Sequence, residues 1–264
     1  MVVADSPAVA VGKMMMVNKQ LEAFVPISLE EMSGVKLMNR TDTKFVTNLR
    51  KLMQLLEIAQ SDYYVQDIDG SRNLEYDTTY FDTMGFDMYA VHQHGHTNRQ
   101  KIRFRTYCIN GLQFMEVKTK NNHGRTKKKR IEVSDMDLND SEKRLFLGKH
   151  LHYSADTLQP ALNNHFSRIT LVNKAKTERL TIDSHLQFHN LVNGHDLTMD
   201  DLVIIELKRD GLVSSPVLEM LRQLRIQPHG FSKYCMGSVL TGSDILPVNR
   251  FKRKLIEVKK LVCQ

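Results

Sequence analysis

A chain of 264 residues that is 41% hydrophobic and 25% charged is long enough to bury a substantial core, which excludes a disordered or fibrous protein. Its three cysteines, Cys108, Cys235 and Cys263, show no CxxC spacing, which argues against a disulfide scaffold or a cysteine zinc site and fits a reducing, cytoplasmic setting. The net charge of +7 points to an anionic partner, and no run approaches the ~18 apolar residues of a membrane span.

Residues 1–27 lack the charge, apolar core and cleavage pattern of a signal peptide and read as a flexible N-terminal tail. Ser28-Leu-Glu-Glu-Met caps and opens a short helix. Residues 35–46 follow as a strand in which Asp42, Lys44 and Val46 alternate with Thr43 and Phe45, and Arg40 and Lys44 are its candidate functional residues. Residues 48–60 form an amphipathic helix behind a capping Asn, 67–71 a turn, and 74–83 a strand rich in Tyr, Thr and Phe. Residues 86–99 start helical and break at Gly95; His92, His94 and His96 would ligate a metal only if the segment were extended.

From Lys101 to Lys120 two alternating runs flank Asn110-Gly111, the signature of a two-residue type I′ hairpin. That loop predicts Arg105 opposite Glu116, Arg103 opposite Lys118 and Lys101 opposite Lys120, giving one nearly all-charged face and one apolar face with Ile102, Phe104, Met115 and Val117. Like charges directly opposed are destabilising, so this face either meets water or holds a polyanion. In 127–133, Lys128, Arg130 and Glu132 share one face and Lys127, Lys129 and Ile131 the other, a basic run that also suits a nucleic-acid patch or plain surface. Residues 140–150 and 154–163 have short helical patterns. The strands 166–172, 178–188 and 202–208 repeat the charged-versus-apolar split, with Arg168, then Arg179, Thr181 and Asp183, then Glu206 and Lys208 on the charged side. A helix opens at Ser214-Ser215-Pro216, another begins near Lys233, and residues 243–264 form a basic C-terminal tail.

These elements give an α+β protein with two possible architectures. In one, helices cover the apolar side of an open antiparallel sheet and the charged side is surface. In the other, the sheet closes into a barrel whose interior holds Arg40 or Lys44, Arg103, Arg105, Lys118, Arg168, Arg179, Lys208 and Lys233, with Glu116, Asp183 and Glu206 among them. A dry pore cannot hold so many cations, because an uncompensated buried charge costs several kcal/mol, whereas a hydrated tunnel filled by a triphosphate can. Arg suits phosphate oxygens through bidentate hydrogen bonds and Lys as a point charge. Glu206 then suits Mg²⁺ or Mn²⁺, hard ions held by one or two carboxylates plus substrate phosphates; Glu116, opposite Arg105, would orient that arginine, touch the metal or serve as a plain ion-pair partner.

The ordered set Arg40-x-Asp42-x-Lys44-Phe45, Tyr80-Phe81-Asp82-Thr83, Arg99-x-Lys101-x-Arg103-x-Arg105-x-Tyr107, Glu116-x-Lys118, Arg168, Arg179-x-Thr181-x-Asp183, Glu206-x-Lys208 and Ser232-Lys233-Tyr234 resembles the VTC polyphosphate-polymerase domain of the triphosphate tunnel metalloenzymes, a CYTH-like superfamily. The resemblance covers about residues 28–242. It implies an eight-stranded antiparallel β tunnel barrel with a charged interior, flanked by helices, that binds ATP phosphates and a divalent cation, Mn²⁺ or Mg²⁺. Carried over by position, Lys44, Arg103, Arg105, Lys118, Arg168, Arg179 and Lys233 are phosphate ligands and Glu206 is the metal ligand. Lys129 and Arg130 both lie where the family has one further basic residue. Arg40 and Lys208 join the expected phosphate ligands, Glu116 is a second candidate for the metal, and Arg103, Arg105, Lys118 and Arg168 form the expected catalytic group. The expected activity is ATP-dependent extension of polyphosphate; the alternatives are a metal-dependent tripolyphosphatase or nucleoside triphosphatase and a non-catalytic polyphosphate binder. With no Trp and few aromatics for base stacking, nucleic acid is not an expected partner. The chain shows neither an SPX domain nor membrane spans, so the expectation is a free-standing domain like those of bacterial members.

Overall fold

Among the described residues the chain forms eleven strands: β1 (Val25–Ile27), β2 (Arg40–Asn48), β3 (Tyr63–Gln66), β4 (Asn73–Thr83), β5 (Arg99–Tyr107), β6 (Gln113–Lys120), β7 (Thr126–Val133), β8 (Leu158–Asn173), β9 (Glu178–Asn190), β10 (Asp196–Met199) and β11 (Leu202–Asp210). The helices are α1 (Pro7–Leu21), α2 (Leu29–Ser33), α3 (Leu49–Ala59), α4 (Asp87–Gln93), α5 (Ser141–His150), α6 (Pro216–Gln223), α7 (Lys233–Gly242) and α8 (Lys252–Val262). The structure is a computed structural model that describes residues 6–33, 40–211, 213–242 and 246–262. The first part of the predicted strand 35–46 lies outside the described residues.

Local chemistry sets several boundaries. The Asn48 side chain accepts from Lys51 N at 3.0 Å and starts α3, and Asp140 does the same for Lys143 N at 2.9 Å at the start of α5. Ser28 and Glu31 form the reciprocal capping pair at α2.

The main sheet runs β2-β11-β9-β8-β4-β5-β6-β7, antiparallel throughout, with β1, β3 and β10 paired off this path. The expected eight-stranded barrel does not close: eight strands form the path, but β2 and β7 are its two edges. A run of exposed lysines along β7, Lys127 to Lys129, is a poor partner for a further strand. The sheet nevertheless curls. Lys44 on β2 donates to the Phe231 carbonyl at 3.1 Å, and Lys101 on β5 donates to the Ser232 hydroxyl at 2.7 Å, so two adjacent residues tie together strands that a flat sheet would hold roughly 24 Å apart.

Three of the four apolar clusters among the described residues follow from this curl. On the convex side, α1, α3 and α6 cover Phe45, Ile169, Leu171, Leu180, Ile182, Val203, Ile205 and Leu207. Elsewhere on that side, Phe146 and Leu147 of α5 cover Ile102, Phe104, Met115 and Val117. On the concave side, α7 and α8 pack on Val46, Leu162, Phe166, Leu186, Phe188, Leu202 and Ile204. Gly237 is what lets α7 lie so close: a Cβ there would fall 2.5 Å from Phe188 Cδ1 and 2.6 Å from Leu162 Cδ2.

Three local expectations are revised. Within the presumed N-terminal tail, Pro7–Leu21 is a helix, because Val17 and Leu21, four apart, bury against α3 and Lys13 pairs with Asp201 at 2.7 Å. Residues 154–163 are not helical: a 3-10 turn over Ala155–Thr157 leads into β8, where Asn163 donates to Asp77 and Asn164 Nδ2 to the Gln187 carbonyl, cross-strand bonds that tie β8 to β4 and β9. The β5–β6 loop is longer than two residues. Tyr107 O accepts from Gly111 N and Tyr107 N donates to Leu112 O, with only Gly111 of the Asn-Gly pair at positive φ, +70°. A type I′ turn needs both. The pairing therefore slips by two residues, to Arg103 opposite Glu116, Lys101 opposite Lys118 and Arg99 opposite Lys120. An even slip keeps every side chain on its expected face.

Candidate functional site

Strand alternation puts Lys44 of β2, Glu206 and Lys208 of β11, Arg179 and Asp183 of β9, Arg168 of β8, Lys101, Arg103 and Arg105 of β5, and Glu116 and Lys118 of β6 on the concave face. Lys128 and Arg130 of β7 share it, since they stand opposite Lys118 and Glu116. Lys129 stands opposite Val117 on the other face, so the backbone pairing separates the two candidates that sequence parity left open. Arg130 packs its guanidinium 4.4 Å from the centre of the Phe114 ring. Arg40 begins β2, and its side chain lies outside the described residues.

Three carboxylates organise these cations. Asp183 accepts from Arg168 Nε at 2.6 Å and Nη2 at 2.8 Å and pairs with Lys233 Nζ at 2.7 Å. Burial opposes its charge, but Arg168 and Lys233 hold it well below the usual carboxylate range. Glu116 accepts from Arg103 Nε at 2.7 Å and Lys128 Nζ at 2.8 Å, and against its burial these charges hold it at about 2. Glu206 is bonded by Lys208, while Lys44 stands 3.8 Å from its other oxygen, Oε1. Despite burial, Lys44 and Lys208 also keep Glu206 ionised below its ordinary range.

The cations exceed what these carboxylates balance. Arg105 and Arg168 lie 5.2–5.6 Å from the ring centres of Tyr76 and Phe166, which stack on one another at 5.4 Å. Quadrupole attraction offsets part of the desolvation of the two guanidinia. Arg105 is nonetheless pulled down to about 10, first by burial and then by Arg103 and Arg168. Lys118 lines water-accessible space but is hemmed in by protein; burial, then Lys44 across the groove, lowers it to about 7. Lys233 and Lys208 are also lowered, burial being the largest cause for each. Such a set is preorganised for a multivalent anion, which would return to each group the charge that its neighbours penalise.

The groove thus gathers Lys44, Arg103, Arg105, Lys118, Arg168, Arg179, Lys208, Lys233, Glu116 and Glu206 on one surface. The sequence reading missed Lys128 as a partner of Glu116 and Lys101 as the group that holds Ser232. Lys128 shares strand parity with Arg130, a signal that becomes readable only once the β6–β7 register is known. Of the HxHxH set, His92 ends up against Cys235, Nδ1 to Sγ 3.0 Å, and His94 and His96 meet edge to face. The described residues contain no group of three or more His, Cys, Asp or Glu side chains that could hold a metal, and none of their helices is long and apolar enough to cross a membrane.

The fold is thus a curled, open antiparallel sheet whose concave face is lined with cations. The chain belongs to the VTC domain family, whose model matches residues 39–241. Among solved structures it is similar to a Bacillus halodurans protein described as a candidate adenylate cyclase, with 14% identity, a TM-score of 0.50, and coverage of 81% of this chain and 100% of that one. It is also similar to HpAC1 from Hippeastrum, described as a candidate adenylyl cyclase with a dominant triphosphatase activity: 16% identity, TM-score 0.43, coverage 80% and 99%. At 14% identity the likeness to the Bacillus halodurans protein is one of fold. No curated protein sequence matches the chain.

Proposed function

We propose that this protein extends inorganic polyphosphate with ATP. The observation that carries this reading is the excess of cations over carboxylates on the concave face of a VTC-family sheet, where a chain of closely spaced phosphates matches the charge. In this account Arg103, Arg105 and Arg168 grip phosphate oxygens through their planar guanidinia, and Lys44, Lys118, Lys208 and Lys233 supply point charges. Arg40 and Arg179 extend the same phosphate grip, as does Arg130 from β7. The terminal oxygen of the growing chain attacks the γ-phosphorus of ATP, the bond from that phosphorus to the β–γ bridging oxygen breaks, and ADP leaves carrying the electron pair. No covalent enzyme intermediate is needed, because phosphoryl transfer is served by alignment and by stabilising charge on the transferring group.

Glu206 fits a divalent cation. Among the described residues its Oε1 is paired with Lys44 at 3.8 Å, beyond hydrogen-bond distance, and a single carboxylate completed by substrate phosphates is an ordinary Mg²⁺ or Mn²⁺ donor set. When bound, the ion would neutralise phosphate charge at the transferring group. Glu116 fits less well: both its oxygens are occupied by Arg103 and Lys128 and its side chain is 1% exposed, so its part is to hold Arg103 in place.

The test is to incubate the purified protein with ATP and Mn²⁺ and resolve the products on a gel. The expected products are ADP and long polyphosphate. Orthophosphate alone would instead identify a hydrolase, and binding without turnover a non-catalytic polyphosphate protein. The Glu206→Gln variant is expected to lose at least about a hundredfold in turnover while still binding tripolyphosphate in EDTA.

A further inference from the structure

At the end of the groove where β5 begins and β6 ends, a second group of cations gathers. Arg99 faces Lys120 directly across the β5–β6 pair, one step outward from Lys101 facing Lys118, so two like-charged pairs stand side by side on the concave face. Directly opposed like charges destabilise a sheet. Arg99 spends a hydrogen bond on the His96 carbonyl at 2.6 Å, and among the described residues no carboxylate lies within ion-pair distance of Arg99, Lys120, Arg250 or Lys254.

The last two come from the C-terminal segment, beyond the family match at 39–241. Phe251, Leu255 and Val258 form the inward stripe of this segment, and Lys254 occupies a helical position within it. A lysine in a stripe that otherwise buries apolar groups sits half-buried, its Nζ 3.4 Å from where a Cβ of Gly230 would be. The Arg250 guanidinium lies against Gly95, a residue at φ +84° whose missing Cβ leaves room for it, and donates to the His94 carbonyl at 3.4 Å. The acidic residue of this helix, Glu257, is engaged by Arg253 and His229, each at 2.9 Å. Electrostatics agrees with the geometry. Burial and then its neighbours, Arg250 and Arg99 among them, lower Lys254, and burial followed by Lys101, Arg99, Lys254 and Lys120 pushes His92 down to about 2.

We infer that Arg99, Lys120, Arg250 and Lys254 form a second anion subsite at the groove mouth, which holds the part of a linear polyphosphate that extends beyond the phosphates bound inside. This rests on the phosphate reading of the inner groove. Lys101 makes the two sites continuous, since it lies between Arg99 and Arg103 on the same face of β5. A phosphate chain suits the mouth better than a nucleic acid, because Phe251, next to Arg250 in the chain, and Tyr89, which packs on it, are buried and offer no platform for a base.

The experiment is calorimetric titration of the full chain, in EDTA at fixed salt, with tripolyphosphate and with long-chain polyphosphate. The double variant Arg250→Gln, Lys254→Gln is expected to narrow the affinity gap between long chain and tripolyphosphate by about tenfold, and to flatten the salt dependence of long-chain binding. Lys120→Gln, at the outer end of β6, is a second variant that leaves the C-terminal helix untouched and should narrow the same gap by a smaller factor. If the wild type binds tripolyphosphate and both variants keep the wild-type gap, the subsite is overturned and the inner groove stands. Failure of the wild type to bind tripolyphosphate would remove the inner reading and the subsite with it. An oligonucleotide that binds more tightly than polyphosphate of equal charge would likewise overturn the assignment.

Discussion

The concave face has two halves that share β2, β11, β9 and β8, the charged half extending onto β5 and β6. One carries Lys44, Glu206, Lys208, Asp183, Arg168, Arg103 and Lys118; the other carries Val46, Ile204, Leu186, Phe188 and Leu162 and is filled by α7. On β2 and β11 the change takes a single step of alternation, from Lys44 to Val46 and from Glu206 to Ile204. Backbone geometry is shared, so side chains alone decide whether a concave sheet surface is filled by its own helix or left for a ligand. Helix α7 marks the boundary: its first residue, Lys233, pairs with Asp183, and four residues later Gly237 is pressed against Phe188.

That contrast can be broken from either side. Phe188→Ala should have the largest effect on stability, about 3–5 kcal/mol, because it opens a cavity beneath α7; denaturant unfolding measures it, and tripolyphosphate binding by the folded protein should change by no more than about twofold. Arg103→Ala should act the other way round. Losing charge-assisted hydrogen bonds worth about 1.5–3 kcal/mol to a phosphate predicts a drop of roughly 10- to 100-fold in tripolyphosphate affinity, read by titration. If Arg103→Ala and Phe188→Ala shift affinity equally, the two halves are not functionally distinct.

The smallest effect is a pH dependence outside both halves. Asp77, 3.8 Å from His165 Nδ1, raises the histidine's proton affinity against burial, and Glu75 adds to this. A raised folded-state pKa gives stability that is fully present below the unfolded value near 6.5 and is lost as pH rises through the folded one. The ring is part open to solvent, so screening keeps the effect under about 1 kcal/mol. His165→Gln should flatten the stability profile across that window while leaving phosphate binding unchanged.

Much of the charged face was legible because alternation survives errors in register. The Asn110-Gly111 loop adds two residues to the predicted turn, yet Arg103, Arg105, Glu116 and Lys118 remain on one face. What changed is the partner: Arg103 meets Glu116 rather than Lys118, so the expected repulsion falls instead on Lys101 with Lys118 and Arg99 with Lys120. The open edge between β2 and β7 was not legible, because closure depends on whether strands distant in sequence come into hydrogen-bonding distance. Nor was the filling of half the groove by α7. Its sequence, KYCMGSVLTG, has no polar face, and only the curled sheet shows that it is buried on nearly all sides.

The central claim is that the cations of the charged half are held for a phosphate chain, and thermal unfolding in EDTA with and without tripolyphosphate tests it most directly. Ligand at about 100 times its dissociation constant adds about 2.7 kcal/mol, which predicts a rise in midpoint of roughly 5–10 °C that equal ionic strength of chloride does not reproduce. An unchanged midpoint, or the same rise with chloride alone, would contradict the claim.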